Sequence, residues 1–478
     1  MYDIIIIGAG VNGCFIARDI ARYKLKVLVL EKENDVGNLT TAANSAIIHS
    51  GYDPHPHSLK AKLNVLGNKM YDAVCQDLDV EFERIGSLTI ATNDEEVEAL
   101  DFLVERANEN QVPVEILDAD EVIKKEPYIT KNVKKALYAK TAAIINPFEL
   151  CVGLMENAMD NGVELRLNTE VQAIKKENDV FQILTNNGEF QSKIIINAAG
   201  VHADEVNNMI NKQKLVIKPR KGEYFVLDHF KESYVNHVLF TIPSKKGKGV
   251  LVTPTTHGNY LIGPSSDFIF DKEDYSTNKE VLDLVLENAK RLVDYIPKNM
   301  IIRQYAGLRA FHESDDFVIN EQDKFINVLG MQSPGLASAP ATSKMVIEMI
   351  SRLIKLEDNP HFNPVRRPLY RLKEQKIAKR KDIIKENPSF GNIICRCEEI
   401  SEGEIVDAIH RNCGARTIKG VKKRVRPGAG KCQGGFCESH IIRILARELK
   451  VDMKDVLYDG AGSNVLLAST KGEKHEKI

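Results

Sequence analysis

Four cysteines carry the clearest chemical signal: Cys395 and Cys397 in CRC, and Cys432 and Cys437 in CQGGFC. They are half of the eight cysteines in the chain, gathered in its last sixth. The chain starts MYDIIIIGAG, with no charged segment ahead of the apolar run, so no secretory signal and a reducing compartment are expected. In such a compartment paired cysteines bind metal more often than they form disulfides. Four thiolates can hold zinc or a [2Fe–2S] cluster. Structural zinc sites usually leave at least two residues between paired ligands, so the C-x-C spacing favours the cluster. A cluster moves single electrons and needs a donor.

The donor is expected at the other end. DIIIIG (3–8) reads as a strand buried on both faces of a parallel sheet. Gly8, Gly10 and Gly13 follow as G-x-G-x-x-G, then a helical apolar pattern, then KVLVLEK as a second buried strand closed by Glu31. Gly8 permits the tight turn, Gly10 lets backbone approach a pyrophosphate, and Gly13 lets the helix pack on the strand. Glu31 would accept hydrogen bonds from an adenosine ribose. A nicotinamide gives electrons as a hydride pair, whereas a flavin can also pass them singly. The two ends together therefore imply FAD. KIIINAAG (193–200) reads as another buried strand ending in small residues, where a dinucleotide could lie close to backbone.

The elements that must position these groups follow from the pattern. The fold class is α/β, with buried strands, helices and Gly-bounded loops alternating from 1 to about 355. FERIGSLTIAT, KGEYFVLD, GVLVTPTT and NYLIGPSS read as an inserted, largely antiparallel sheet, roughly 79–145 and 216–300. Residues 356–390, with three prolines and a dense charge run over 359–381, read as a linker wrapping a surface. A small helical domain occupies 391–455, and 456–478 reads as a polar tail. Within that domain Ser401 and Glu404 fit a capping box, Thr417 caps a second helix, and a third covers 436–449. The net charge of −2 gives no reason to expect nucleic acid, and no apolar run spans a bilayer.

The module C-x-C, C-x4-C with RPGAGKCQGGFC resembles the bacterioferritin-associated-ferredoxin-like [2Fe–2S] domain. The first 355 residues resemble the D-amino-acid-oxidase-like flavoproteins, nearest to FAD-dependent glycerol-3-phosphate dehydrogenases and L-2-hydroxyglutarate oxidases. IIIIGAGVNG, NSAIIHSGYDPHPHSLKAKLNVLGNKMY (44–71), INAAG, AGLRA (306–310) and GMQSPGLASAPA (330–341) carry that resemblance. Ala46 departs from it, where relatives often carry glycine.

The resemblance implies a Rossmann-like FAD domain and places His49 near the flavin as the base for a CH–OH group, a role suited to a near-neutral pKa. It places Arg309 at the substrate's anionic end, where a planar guanidinium binds phosphate or carboxylate. Ser333 and Lys245 are further substrate candidates, Lys245 from the loop SKKGKG. Beside Gly8, Gly10, Gly13 and Glu31, the expected FAD contacts are Lys32, Thr41, Asn44, Ser45, Val171, Ala199, Gly200, Gly307, Gly335 and Leu336. A helix beginning near Gly335 could stabilise charge on a reduced flavin.

KGVKKRVRPGAGK (419–431) is the densest basic run; with no aromatic residue interleaved, cluster compensation or an acidic redox partner fits better than nucleic acid. Two function classes follow. One is a dehydrogenase of a small anionic substrate: glycerol 3-phosphate first, then L-2-hydroxyglutarate, then an amino acid or opine. It would pass electrons through the cluster to a partner protein, an additional subunit or a quinone-linked chain. The other is a flavin and iron–sulfur electron-transfer or sensory protein without substrate chemistry. The expected location is the cytoplasm, with peripheral attachment to the inner face of the cell membrane through a partner as an option.

Overall fold

The apolar run at the start forms β1 (Tyr2–Ile7), in which Ile4, Ile5 and Ile6 are wholly buried. A strand without a polar face belongs in the middle of a covered parallel sheet. β1 leads into α1 (Val11–Ile20) and then β2 (Val27–Leu30), paired with it in parallel from Ile4↔Val27 to Ile7↔Leu30. Strand Gly188–Asn197 lies parallel to β1 on its other side, Glu164–Arg166 extends the sheet beyond β2, and Phe325–Leu329 pairs in parallel with Gly188–Asn197. This is the doubly covered α/β sheet that the sequence pattern requires.

The computed structural model describes residues 1–243 and 249–468. It divides into two units, Met1–Lys32 with Val36–Arg366, and Glu33–Asp35 with the chain from Arg367 onward. In the first unit α2 (Leu59–Asn68) starts at Ser58, whose side chain accepts the Ala61 N–H. The Asp316 carboxylate accepts the Leu59 and Lys60 N–H groups, both at 2.9 Å. A carboxylate there complements the positive helix end.

A second sheet of nine strands is built mainly from the two segments read as an insertion. Its central pair is β3 (Lys218–Leu227) and β4 (Ile301–Phe311), antiparallel over their whole length, so the sheet extends past residue 300. One pair is parallel, Val238–Thr241 beside Ser87–Ala91, within the otherwise antiparallel array. Leu88, Leu227, Val252 and Ile262 form its core with Leu282, Val285 and Leu286 of helix Lys279–Ala289. The long helix α3 (Gly335–Leu353) packs against α1 and α2. It meets α2 closely, because a Cβ on Gly67 would lie 2.2 Å from the Ala337 carbonyl oxygen.

The second unit holds α4 (Glu402–His410), α5 (Ile418–Val425) and α6 (Glu438–Leu449). Both capping-box bonds between Ser401 and Glu404 form, and Thr417 accepts the Gly420 N–H. α6 begins at Glu438, two residues later than its apolar pattern suggests. Residues 377–386, inside the stretch read as a linker, form a helix whose Ile383 packs with Leu372 and Phe390. The basic run is less open than its composition suggests. Arg424 is buried and grips both oxygens of Asp35 at 2.8 Å, Lys423 is buried, and Arg426 pairs with Glu398. Ile418, Val421 and Arg424 recur at helical spacing on the face α5 turns inward, so the arginine is carried in with the apolar residues.

Arg366 and Glu156 form a buried ion pair in the first unit, with Nε and Nη2 at 2.9 and 2.7 Å from Oε2. Removing one partner leaves an uncompensated buried charge, which costs about 3–5 kcal/mol. Arg366→Met should lower the denaturant midpoint of the first unit accordingly, and adding Glu156→Met should recover most of the loss. A single variant within about 1 kcal/mol of wild type would assign the pair no such role.

Candidate functional site

Glycines bring three backbones together at the end of β1. Gly8 has φ +102°, and a Cβ there would lie 2.5 Å from the Ala198 carbonyl oxygen. A Cβ on Gly13 would lie 2.0 Å from the Gly8 carbonyl oxygen, so α1 rests directly on the turn. The α1 N-cap is Gly10, and Thr41 Oγ1 accepts the Val11 N–H at 3.1 Å. Glu31 accepts the Ala9 N–H at 2.6 Å, so this carboxylate holds the turn as well as facing the cavity.

Above this turn lies a cavity of about 620 Å³, well within the range for small-molecule sites. Its wall includes Gly8, Gly10, Glu31, Lys32, Thr41, Asn44, Ser45, Val171, Ala199, Gly200, Gly307, Gly335 and Leu336; Gly13 lies beneath it. Every residue expected at FAD is thus at the cavity or directly supports it. The residues fit a dinucleotide on two observations. Gly8 and Gly13 leave no room for a Cβ, so bare backbone at Gly8 and Gly10 lines the cavity, and Asn12 Oδ1 is buried at the wall without a protein partner. Lys32 binds Glu273 at 2.8 Å, and His202 Nε2 lies 3.2 Å from its Nζ.

The floor is a cross-strand ladder. Arg220 stands opposite Arg309, Gly222 opposite Gly307, and Tyr224 opposite Tyr305. Residues at alternate positions share one face, so all six lie on the same side. The tyrosine rings stack at 4.8 Å, Tyr224 Oη is 3.0 Å from Ser45 Oγ, and Tyr305 Oη donates to the Asn44 carbonyl at 2.9 Å. Burial raises the pKa of both phenols. A Cβ on Gly307 would lie 2.0 Å from the Ala43 carbonyl oxygen, so only glycine lets the 40–45 loop cross β4 here. Asn44 pins that loop, its Oδ1 accepting the Ala46 N–H at 2.7 Å. Ala46 has φ +58°, a left-handed conformation costing a non-glycine residue roughly 1–2 kcal/mol. The alanine is thus accommodated under strain, and glycine would suit the position.

His49 follows the short strand Ile47–Ile48. Asn64 and Asn68, one turn apart on α2, both donate to its carbonyl, at 2.6 and 3.1 Å. Its ring stacks on Phe240 at 5.7 Å, and Nε2 lies 3.4 Å from Ser333 Oγ. Arg309 lines the same cavity; its Nη2 donates to the Ser265 carbonyl at 2.8 Å and its Nε to the Arg220 carbonyl at 3.4 Å. Burial lowers its pKa, and it pairs with no carboxylate among the described residues. His49, Arg309 and Ser333 are therefore brought together, whereas Lys245 lies outside the described residues. Arg220, Tyr224, Phe240 and the two asparagines escape sequence reasoning. The available signal was the period of two in PRKGEY, which puts Arg220, Gly222 and Tyr224 on one face.

The four C-terminal cysteines form two pairs. Cys397 and Cys432 have sulfurs 3.7 Å apart, and the Cys395 and Cys437 thiols are hydrogen-bonded. Two ligands of one tetrahedral metal lie about 3.8 Å apart. No three metal-binding side chains converge as a single-ion site among the described residues. Paired thiols suit two irons with two ligands each better than one zinc. Backbone N–H groups also reach the sulfurs, from Gly428 and Glu398 to Cys395 and from Gly434 and Phe436 to Cys432. The Cys437 thiol and these amides hold Cys395 at about 6, while the same thiol contact pushes Cys437 up. The amide contacts thus favour the thiolate at Cys395 and Cys432.

Comparison with known proteins agrees with both cofactors. Residues 3–349 match the family model "FAD dependent oxidoreductase", and 393–447 match "BFD-like [2Fe-2S] binding domain". A glycerol 3-phosphate dehydrogenase from Caloramator mitchellensis is 49% identical, over 99% of this chain and all of that protein. A glycerol 3-phosphate oxidase from Mycoplasma genitalium is 34% identical, over 76% of this chain and 98% of its own length. The FAD-bound structure of L-alpha-glycerophosphate oxidase from Mycoplasma pneumoniae superposes with a TM-score of 0.73 at 32% identity, covering 76% of this chain and 98% of that one. No helix among the described residues is long and apolar enough to cross a membrane. The chain belongs to the FAD-dependent oxidoreductases and carries a [2Fe–2S]-binding domain of the BFD-like type.

Proposed function

We propose that the protein is a glycerol 3-phosphate dehydrogenase, oxidising the CH–OH carbon to give dihydroxyacetone phosphate. The observation that carries this reading is Arg309, a half-buried guanidinium at the cavity held by backbone carbonyls and by no carboxylate among the described residues. Such a cation calls for an anionic ligand. The 49% identity to a dehydrogenase of that substrate supports it. The oxidase relatives have no counterpart for about a quarter of the chain, whereas the dehydrogenase spans 99% of it. That difference supports electrons leaving through the cysteine module to a partner protein or additional subunit. Peripheral attachment at a membrane through that partner belongs to the same proposal.

The chemistry FAD would supply when bound is uptake of one hydride, an electron pair, and that supplied by a [2Fe–2S] cluster is passage of single electrons. The residues supply the rest. Arg309 binds the phosphate and so sets which carbon faces the flavin. His49 Nε2 takes the hydroxyl proton, with Ser333 Oγ 3.4 Å away to orient it. Phe240 fixes the ring plane, and Asn64 and Asn68 hold the His49 backbone. The glycine floor leaves space for two stacked reactants. Thr41 and the first turn of α1 would hold the pyrophosphate of the cofactor, and Glu31 its ribose.

Three variants test these roles. Glycerol 3-phosphate added anaerobically should bleach the flavin, and His49→Ala should slow bleaching about 10²–10⁴-fold with FAD retained. Bleaching at a near-normal rate would leave His49 a packing role. Arg309→Lys keeps the charge but loses the planar fork, so the KM should rise; an unchanged KM would move the anion site elsewhere. Cys432→Ser should abolish bound iron, leave bleaching by substrate largely intact, and slow transfer to a one-electron acceptor. Wild-type rates in both half-reactions would take the module off the electron path.

A further inference from the structure

Arg309 does not stand alone. Arg220 is its direct neighbour across the β3–β4 ladder, so both side chains leave the same face of the sheet, and both line the cavity. Arg309 Nη2 lies within 3.0 Å of where a Cβ on Gly222 would be, so the missing side chain at Gly222 is what admits the guanidinium. The Arg220 guanidinium lies over the Phe268 ring, 5.3 Å from its centroid. Stacking on an aromatic face fixes the plane of the fork. Burial is the main cause lowering the pKa of Arg309, and the charge on Arg220 lowers it further. Asp267 and Asp315 act on Arg220 in the opposite sense.

Two guanidinium ions side by side in a partly desolvated cavity repel each other. A phosphate monoester carries about 1.5–2 negative charges at neutral pH, and three terminal oxygens that can accept from both forks. One carboxylate carries a single charge and two oxygens, enough for one fork. We propose that Arg220 and Arg309 form a two-arginine clamp for a phosphate monoester dianion, and that Arg220 sets the preference for phosphate over carboxylate. This deepens the reading above and rests on it for the identity of the substrate.

The test uses the FAD-loaded protein as wild type, Arg220→Gln and Arg220→Lys. With Arg220→Gln, the KM for glycerol 3-phosphate should rise about 10–100-fold while kcat changes by less than about 3-fold. Competitive inhibition by inorganic phosphate should weaken by a similar factor, and inhibition by acetate should change by less than about 3-fold. Arg220→Lys should lie between the two, because it restores charge without the fork. Phosphate and acetate affected equally, or neither affected, would overturn the proposal. Where Arg220→Gln does not retain FAD, wild type against Arg220→Lys decides: an unchanged phosphate inhibition constant overturns the clamp. A wild type that does not oxidise glycerol 3-phosphate refutes the proposed function instead. The clamp is then read from the perturbation of flavin absorbance by inorganic phosphate, and equal midpoints in wild type and Arg220→Gln overturn it.

Discussion

The register of β3 against β4 is the constraint on which the cavity depends. With Arg220 opposite Arg309, the two glycines fall opposite each other and the two tyrosines stack. A slip of one residue would turn one strand's set to the other face. It would place a side chain where the 40–45 loop crosses Gly307, and would take the phenols away from Ser45 and Asn44. Cation, open floor and loop anchor are therefore one feature. Ten paired positions along these strands hold it, including Gly222↔Gly307 at the crossing point.

The two redox sites are built on different principles. The cavity is assembled by shape, from glycines that omit a Cβ and a loop in a strained conformation at Ala46. The cysteine site is assembled by hydrogen bonding, with amides aimed at sulfur on the wall of an apolar core that includes Ile405, Ile441 and Leu445. Shape selects a large planar ligand, and amide donors stabilise a negatively charged one.

What the sequence made legible is local. The glycine turn, the cysteine spacings and the Ser401–Glu404 capping box are each decided within a few residues, and each reads directly. The Rossmann-like sheet reads almost as well, because strands buried on both faces are continuous apolar runs. The arginine pair does not read, since Arg220 and Arg309 are 89 positions apart and only strand pairing joins them. Nor does the fate of the basic run: Arg424 is neutralised by Asp35, 389 positions away. The stretch read as a linker was dominated by its prolines and charges, yet one apolar residue per turn or so, such as Ile383, sufficed to seat a helix. His49 needed the resemblance, because a single histidine after an apolar pair has no pattern of its own.

Among the described residues, the wall of the cavity is drawn from residues that run from Ile7 to Leu336. The four paired thiols begin only at Cys395. During synthesis, then, every one of these wall residues has been made before the first of these thiols. The long-range pairing of β1 with later strands is slow to form, but it has no need to wait for the C-terminal module. The order of the chain lets the organic cofactor be captured co-translationally and leaves iron delivery as a separate, later event on a short contiguous segment.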